Sequence, residues 1–351
     1  RHIQRIIIII GIIGIHRRII SRIISHVIII LHIHHILIIV TIIFITRGVI
    51  RILIISRSIR STGIYLKTLG ALIIKGIIGI YRLFKELKSY KATALADLHK
   101  NLRSNVVSRL FWFTGISMAS LDKGRAEKRA LTRKENKEFL PLKSSAQRYA
   151  DVFARLGFPF TLKNTLTKQP EILNQAILKI SGKKGAQKWI GVSPFAQHSQ
   201  KVYPLDKMDN VLTALATAGH RIFVFGGGQE EQKIAEKWAI THENITSLIG
   251  KLNLSEELSI ISNLDVMLSM DSSGMHLASL KGIPVVSVWG ATHPHAGFLG
   301  YGQSLANGIQ VDLACRPCSV YGNKPCHRGD FACMNQLSES HIIQKVLNTI
   351  S

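Results

Sequence analysis

From Gly76 onward two hydrophobic patterns alternate along the chain. Short continuous apolar runs mark strands buried on both faces. Longer stretches whose apolar positions recur every three or four residues mark helices. The second half is the more regular. There the pattern predicts a strand at Lys188–Val192, a helix at Leu205–Ala218 closed by Gly219, and a strand at Arg221–Phe225. A helix from Gln229 to Ile240 and a strand at Ile245–Ile249 follow, then a helix at Ser255–Asn263 with Ser255 as its N-cap. Asp265–Met270 reads as a strand, Met275–Lys281 as a short helix and Ile283–Trp289 as a strand. Earlier, Tyr81–Ser89, Val106–Phe113 and Ala146–Leu156 read as helices and Ala92–Leu98 as a short apolar run. Asp122–Lys137 is a basic loop. Thr161–Gln187, with Pro170 and Gly182, is the expected interdomain connection.

Apolar strands alternating with helices give a parallel sheet covered on both faces, a Rossmann-like unit whose ligands sit at the carboxyl ends of the strands. A chain of 351 residues suits two domains. The first 80 residues break the pattern. Isoleucine fills 34 of them, and Asp, Glu, Asn, Pro, Met, Cys and Trp are absent. Three readings stand. Ile23–Thr46 is long enough for a membrane anchor, though His26, His32, His34 and His35 are costly in lipid. Isoleucine favours strands, so a buried β-rich half-domain is the second, though runs such as Ile6–Ile10 without gatekeepers invite aggregation. The third is an out-of-frame or degraded stretch, which the loss of whole residue classes and a first methionine at Met118 fit best. No functional residue is taken from 1–75.

Charge narrows the function. The chain carries 45 Lys+Arg against 21 Asp+Glu, a net +24. Residues 1–85 hold 13 of the basic residues and no acid, so 86–351 carry a net +11, ordinary for an enzyme of phosphorylated substrates. Aromatic-basic interleaving is missing, which argues against a nucleic-acid partner. Four cysteines exclude a disulfide-dense scaffold.

Five segments carry candidate chemistry. In Ser193–Pro204 (SPFAQHSQKVYP), Ser193 ends a strand and Lys201 is either a mobile cation for a diphosphate or a solvated loop lysine. Gly226, Gly227 and Gly228 let backbone amides approach an anion, or make a tight strand-to-helix turn; the G-x-G-x-x-G spacing is absent. In DSSGMH, Asp271, Ser272, Ser273, Gly274 and His276 gather a carboxylate, hydroxyls and an imidazole at a helix start, where Asp271 faces sugar hydroxyls or caps the helix. In WGATHP, Thr292 and His293 contact ligand or shape the turn before Pro294. Cys315, Cys318, Cys326 and Cys333, spaced C-x2-C-x7-C-x6-C, are structural zinc ligands, reduced thiols or disulfides.

Taken together, SPFAQHSQKVYPLDKM, FVFGGGQEE, LDVMLSMDSSGMHLASLKGIPVVSVWGATHPHAGF and VDLACRPCSVYGNKPCHRGDFACM resemble glycosyltransferase family 9, the bacterial heptosyltransferase-like enzymes of lipopolysaccharide synthesis. ADLHKNLRS resembles the family's strand-then-polar-loop segment, and the resemblance covers about residues 76–351. It implies an α/β fold of GT-B type, two Rossmann-like domains facing a cleft. Residues 76–170 would complete the acceptor-side domain after the anomalous 1–75, and 171–351 would bind the nucleotide sugar.

The implied reaction is an inverting, metal-independent sugar transfer, typically of heptose from ADP-heptose, to an anionic lipid A/core acceptor. No cofactor is required beyond the candidate zinc. The implied location is cytoplasmic, peripheral to the inner face of the inner membrane. Lys201 matches the lysine that meets the diphosphate, and Asp271, Ser272 and His276 match the donor-binding D-[ST]-G-x-x-H region, with Ser273 where many members have glycine. The basic group Arg103, Lys123, Arg125, Lys128 and Arg129 would face the acceptor, or forms a solvated surface. The family's opening S-x-x-G-D loop carries its presumed base. Arg51–Ile55 (RILII) resembles its opening strand, but no Asp precedes Asp97, so the catalytic residue is unknown. An inactive nucleotide-sugar-binding remnant is the alternative.

Overall fold

The computed structural model describes residues 6–9, 40–46, 49–55, 72–73 and 76–351, with side chains from Gly79 onward. The chain divides into two compact units. The first comprises residues 1–123 and 146–162, and the second 124–145 and 163–351.

In the first unit, β1 (Ile6–Ile9), β2 (Val40–Thr46), β3 (Val49–Ile55) and β4 (Leu72–Ile73) precede helix α1 (Gly76–Ser89). Strand β5 (Ala94–Asp97), helix α2 (Leu102–Trp112) and strand β6 (Ser117–Ser120) follow. Among the described residues the sheet order is β4-β3-β2-β1-β5-β6, with β3 antiparallel to both its neighbours and the other pairs parallel. The opening strand beside β5 is therefore Ile6–Ile9. Arg51–Ile55 lies in β3 instead. The candidate membrane span Ile23–Thr46 lies outside the described residues except for Val40–Thr46, which is β2. Among the described residues no helix is long and apolar enough to cross a membrane.

The start of α2 follows directly from ADLHKNLRS. Asn101 and Ser104 form a reciprocal capping box. Asp97, at the end of β5 and fully buried, accepts from the amides of His99 and Lys100 and from the Ser104 hydroxyl. Leu83 and Leu87 of α1 pack with Leu95, Val107 and Phe111 under this sheet, and Phe84 meets Phe111 edge-on at 5.0 Å.

The basic loop folds in part as α3 (Arg125–Leu131), which belongs to the second unit. Helix α4 (Ser145–Arg155) is next, and the polar connection contains α5 (Gln175–Ser181). Then come β7 (Trp189–Ser193), α6 (Leu205–Thr217), β8 (Arg221–Val224), α7 (Gln229–Thr241) and β9 (Ile245–Ser247). Helix α8 (Leu254–Asn263), β10 (Val266–Met270), α9 (Ser273–Leu280) and β11 (Val285–Val288) lead to β12 (Gly308–Ile309), α10 (Ala332–Asn335) and α11 (Glu339–Ile350). The cap of α8 is Asn253, not Ser255; Asn253 accepts from the Ser255 and Glu256 amides, and Glu256 closes the capping box. Gly219 takes the left-handed φ of +86° just past α6, as its position predicts.

The second sheet is wholly parallel, in the order β12-β11-β10-β7-β8-β9. Its central strands are buried along their length because they are mainly Ile, Val, Leu and Met, broken only by Trp189, Gly191 and the small Ser193, Ser269 and Ser287. The chain builds outward from β7 to β9, then crosses back to lay β10, β11 and β12 on the other side. The order therefore reverses between β7 and β10, the position where open parallel sheets take their ligands, at the carboxyl ends of the strands.

Candidate functional site

Ser193 ends β7 and Asp271 follows β10, so both stand at that reversal. Ser193 pairs in register with Ser269 of β10. Its hydroxyl lies 3.5 Å from that of Ser272, which is 3.4 Å from the Ser269 hydroxyl. Gly274 explains how α9 comes this close. A Cβ there would collide with Cβ and Oγ of Ser193, so only glycine lets the helix start sit against the strand end.

Asp271 does not cap α9. Ser272 is the N-cap, without a side-chain bond, and Asp271 instead pairs with Lys201. The Lys201 ammonium lies 3.1 Å from Asp271 Oδ2, with side-chain exposures of 15% and 8%. Lys201 ends a short 3-10 turn, Ser199–Lys201, and its stem rests on Gly322, where a Cβ would collide with it. His276, one turn into α9, keeps contact with solvent. The surrounding protein foremost, and then the Lys201 ammonium, hold its imidazole below the usual histidine range, while Asp271 pulls the other way. The sequence-derived set Ser193, Lys201, Asp271, Ser272, Gly274 and His276 is thus brought together; Ser273 is exposed on the first turn of α9.

The Gly226–Gly228 turn lies at the carboxyl end of β8. Its chemistry differs from the expected anion cradle. The Gly227 amide already donates to Glu231 Oε2 at 2.7 Å, and Glu230 joins Glu231 in the first turn of α7. Burial raises the Glu231 carboxyl above the usual range, partly offset by that amide. Two acids there disfavour phosphate, whereas a carboxylate suits a hydroxyl. The adjacent acids in FVFGGGQEE are the signal that the glycine-centred reading passed over.

Thr292 is fully buried and its hydroxyl has no hydrogen-bond partner. His293 is buried beside it, with Nδ1 accepting from the His295 amide. Burial first, then His295, Arg316 and Lys137, push its pKa down to about 3, so the ring is neutral at any physiological pH. The loop holding both residues is tied down by Arg316. That buried guanidinium donates to the carbonyls of Trp289, Gly290, Thr292 and Val311 and to Gln310 Oε1, at 2.6–3.1 Å. Nothing in the hydrophobic pattern picks out Arg316. Its only signal is a cation inside the C-x2-C pair.

The four cysteines line one small pocket with Gln200 and Arg316. All four are free thiols. Lys137 reaches this segment, donating to the carbonyls of Ala314, Arg316 and Pro317. Among the described residues no three His, Cys, Asp or Glu side chains form a group that could hold a metal ion, so the zinc expectation rests on spacing alone. Burial raises the Cys318 thiol and pushes Cys333 up to about 11. At pH 8 Cys333 should therefore react with a disulfide reagent at least about tenfold more slowly than Cys315 or Cys326. Peptide mapping after timed labelling of chelator-treated protein checks this; equal rates would contradict the burial.

The basic residues separate. Arg103 lies half-buried on α2, and Lys123 is the last residue of the first unit's opening segment. Arg125 and Arg129 are exposed on α3. Lys128 is buried, its ammonium 4.3 Å from the centroid of Phe298, and so is not the surface cation its run suggests.

With this geometry in view, residues 80–326 match glycosyltransferase family 9 (heptosyltransferase), and the chain belongs to that family. It is similar to lipooligosaccharide heptosyltransferase 2 of Campylobacter jejuni, 27% identical over 199 residues, 55% of this chain and 57% of that protein. The chain thus spans little more than half the length of that relative. Among solved structures it resembles a glycosyl transferase of family 9 from Veillonella parvula, with TM-score 0.62 and 16% identity over 99% of this chain and 97% of that one. It also resembles an E. coli ADP-heptose lps heptosyltransferase II, with TM-score 0.61 and 13% identity over 99% and 98%. These likenesses establish the fold as α/β of GT-B type, built from Rossmann-like units.

Proposed function

We propose that the protein is an inverting glycosyltransferase that moves heptose from ADP-heptose to an anionic lipopolysaccharide-core acceptor. Family membership supports the reaction class. The observation that carries the reading is the Lys201–Asp271 pair at the strand-order reversal of the second sheet. Sugar transfer from a nucleotide diphosphate places negative charge on the departing phosphate. Lys201 would neutralise it, assisted by the amides at the start of α9, which the dipole makes favourable for anions. Asp271 would hold the lysine in place and accept a sugar hydroxyl, with Ser193, Ser272 and His276 around it. Glu231 would take a hydroxyl of the nucleoside, and Thr292 would turn its spare hydroxyl to the ligand. The acceptor's carboxylates and phosphates suit Arg103, Lys123, Arg125 and Arg129. The reaction is read as needing no cofactor, with any zinc at the cysteines structural, and as occurring at the cytoplasmic face of the inner membrane.

A second reading is a donor-binding protein that does not transfer. The favouring observation is that no acidic residue precedes Glu86, and an acceptor hydroxyl needs a base. Asp97 is a poor substitute, because it is buried and both its oxygens are engaged by donors of its own loop. Calorimetric titration separates the possibilities. The transferase reading expects micromolar binding of ADP and ADP-heptose, and ADP release once acceptor is added. Binding without release selects the second reading, and no heat with any nucleotide or nucleotide sugar removes both.

A further inference from the structure

We propose that the outward face of α2, with the exposed cations of residues 82–109, docks on a bilayer bearing anionic lipid headgroups. For the source of that bilayer the inference rests on the proposed function, which places the acceptor in a membrane; the face itself is read from the helix. Surface helices usually turn polar residues outward. Here the inward face is Ser104, Val107, Ser108 and Phe111, all buried. At 100° per residue, the opposite side carries Leu102, Val106, Arg109 and Phe113, with Trp112 beside them. Leu102 is 81% exposed, Phe113 77% and Trp112 65%, and Val106 is exposed as well. Three large apolar side chains in one outward stripe, with Trp112 on its flank, exceed the scattered singles expected on a soluble surface.

The charge nearby identifies the occupant. Between Gly76 and Leu121 stand Arg82, Lys85, Lys88, Lys91, Lys100, Arg103 and Arg109, against only Glu86 and Asp97. Both acids are withdrawn from the surface. Asp97 is fully buried, and Glu86 is half-buried with Oε1 out of contact with water. Six of the seven cations are exposed, Arg103 alone being half-buried. Helix α1, which carries Arg82, Lys85 and Lys88, packs on α2 through Phe84 and Phe111. An apolar stripe with aromatic residues at one end, in a segment whose exposed charges are all cations, matches the boundary between acyl chains and anionic headgroups. A second copy of this surface would bring like charges together.

The test uses the full chain and sedimentation with sucrose-loaded vesicles. Wild type should partition at least about tenfold more strongly onto vesicles of phosphatidylcholine with phosphatidylglycerol than onto phosphatidylcholine alone, and less so in high salt. The double variant Trp112→Ser/Phe113→Ser and the variant Lys100→Gln/Arg109→Gln should each lose about tenfold or more. Ile240→Ser, at an exposed apolar residue of α7 in the other unit, should lose nothing. ADP binding measured on the same preparations should be unchanged in all three. Failure of wild type to sediment with anionic vesicles, or full binding by Trp112→Ser/Phe113→Ser, overturns the proposal while leaving donor binding standing. A dimer in sedimentation equilibrium that the same variant dissociates would assign the face to a second copy and overturn it equally.

Discussion

Lys201→Ala should weaken ADP binding by about a hundredfold or more, the loss typical of truncating one partner of a buried charged contact. The same change should also destabilise the fold by about 1–3 kcal/mol, since it strands the nearly buried Asp271 carboxylate without its cation. The two losses have different origins and a double variant separates them. Lys201→Ala/Asp271→Asn removes the stranded charge, so urea unfolding should recover most of the stability. Calorimetry on that variant should still show the hundredfold loss of ADP, because no cation has returned. Recovery of both together would mean that the single variant simply perturbs the fold, and the lysine would then have no claim on the diphosphate. Lys201→Arg is the stricter control. It keeps the charge, but its longer planar head cannot take the same seat over Gly322.

Arg316→Met should be the most destabilising single change outside the strands, by about 3–5 kcal/mol. The guanidinium is the shared donor for four backbone carbonyls and the Gln310 amide oxygen, and methionine fills its volume while donating to none of them. Arg316→Lys should recover only part, since one ammonium cannot reach groups spread around a planar fork. Because three of the carbonyls belong to Trp289, Gly290 and Thr292, the loop beyond β11 should loosen first. Hydrogen exchange would then show lost protection at 289–296 ahead of the central strands. Uniform loss of protection across the sheet would contradict this local role.

Much of the second unit can be read directly from its sequence, because its strands are continuous apolar runs and a period change marks each helix. Placing Lys201, Asp271 and Gly274 at strand ends needed only that alternation and the rule for open parallel sheets. What could not be read is what depends on long-range packing. By local sequence Asp271 suits the cap of α9 equally well, and only the fold brings Lys201, seventy residues earlier, within reach. Lys128 looks like any member of a basic run until Phe298 covers it. Arg316 and Lys137 spend their charge on backbone carbonyls, partners that have no letter in a sequence. The cap of α8 falls two residues before the one its pattern suggests, for a simpler reason. Asn253 and Ser255 are both good caps, and Glu256 decides between them by closing the box on Asn253.

The close seat of Lys201 on Gly322 has a consequence for how such chains can diverge. Position 322 lies in the cysteine-bearing turn, where its amide donates to Ser319 and its φ of +74° already favours glycine. The floor under the lysine is therefore set by residues 319–323, an uncharged turn more than a hundred residues away. Bulk gained at 322 must be matched by a shorter or rerouted side chain at 201, so the two positions can drift only as a pair.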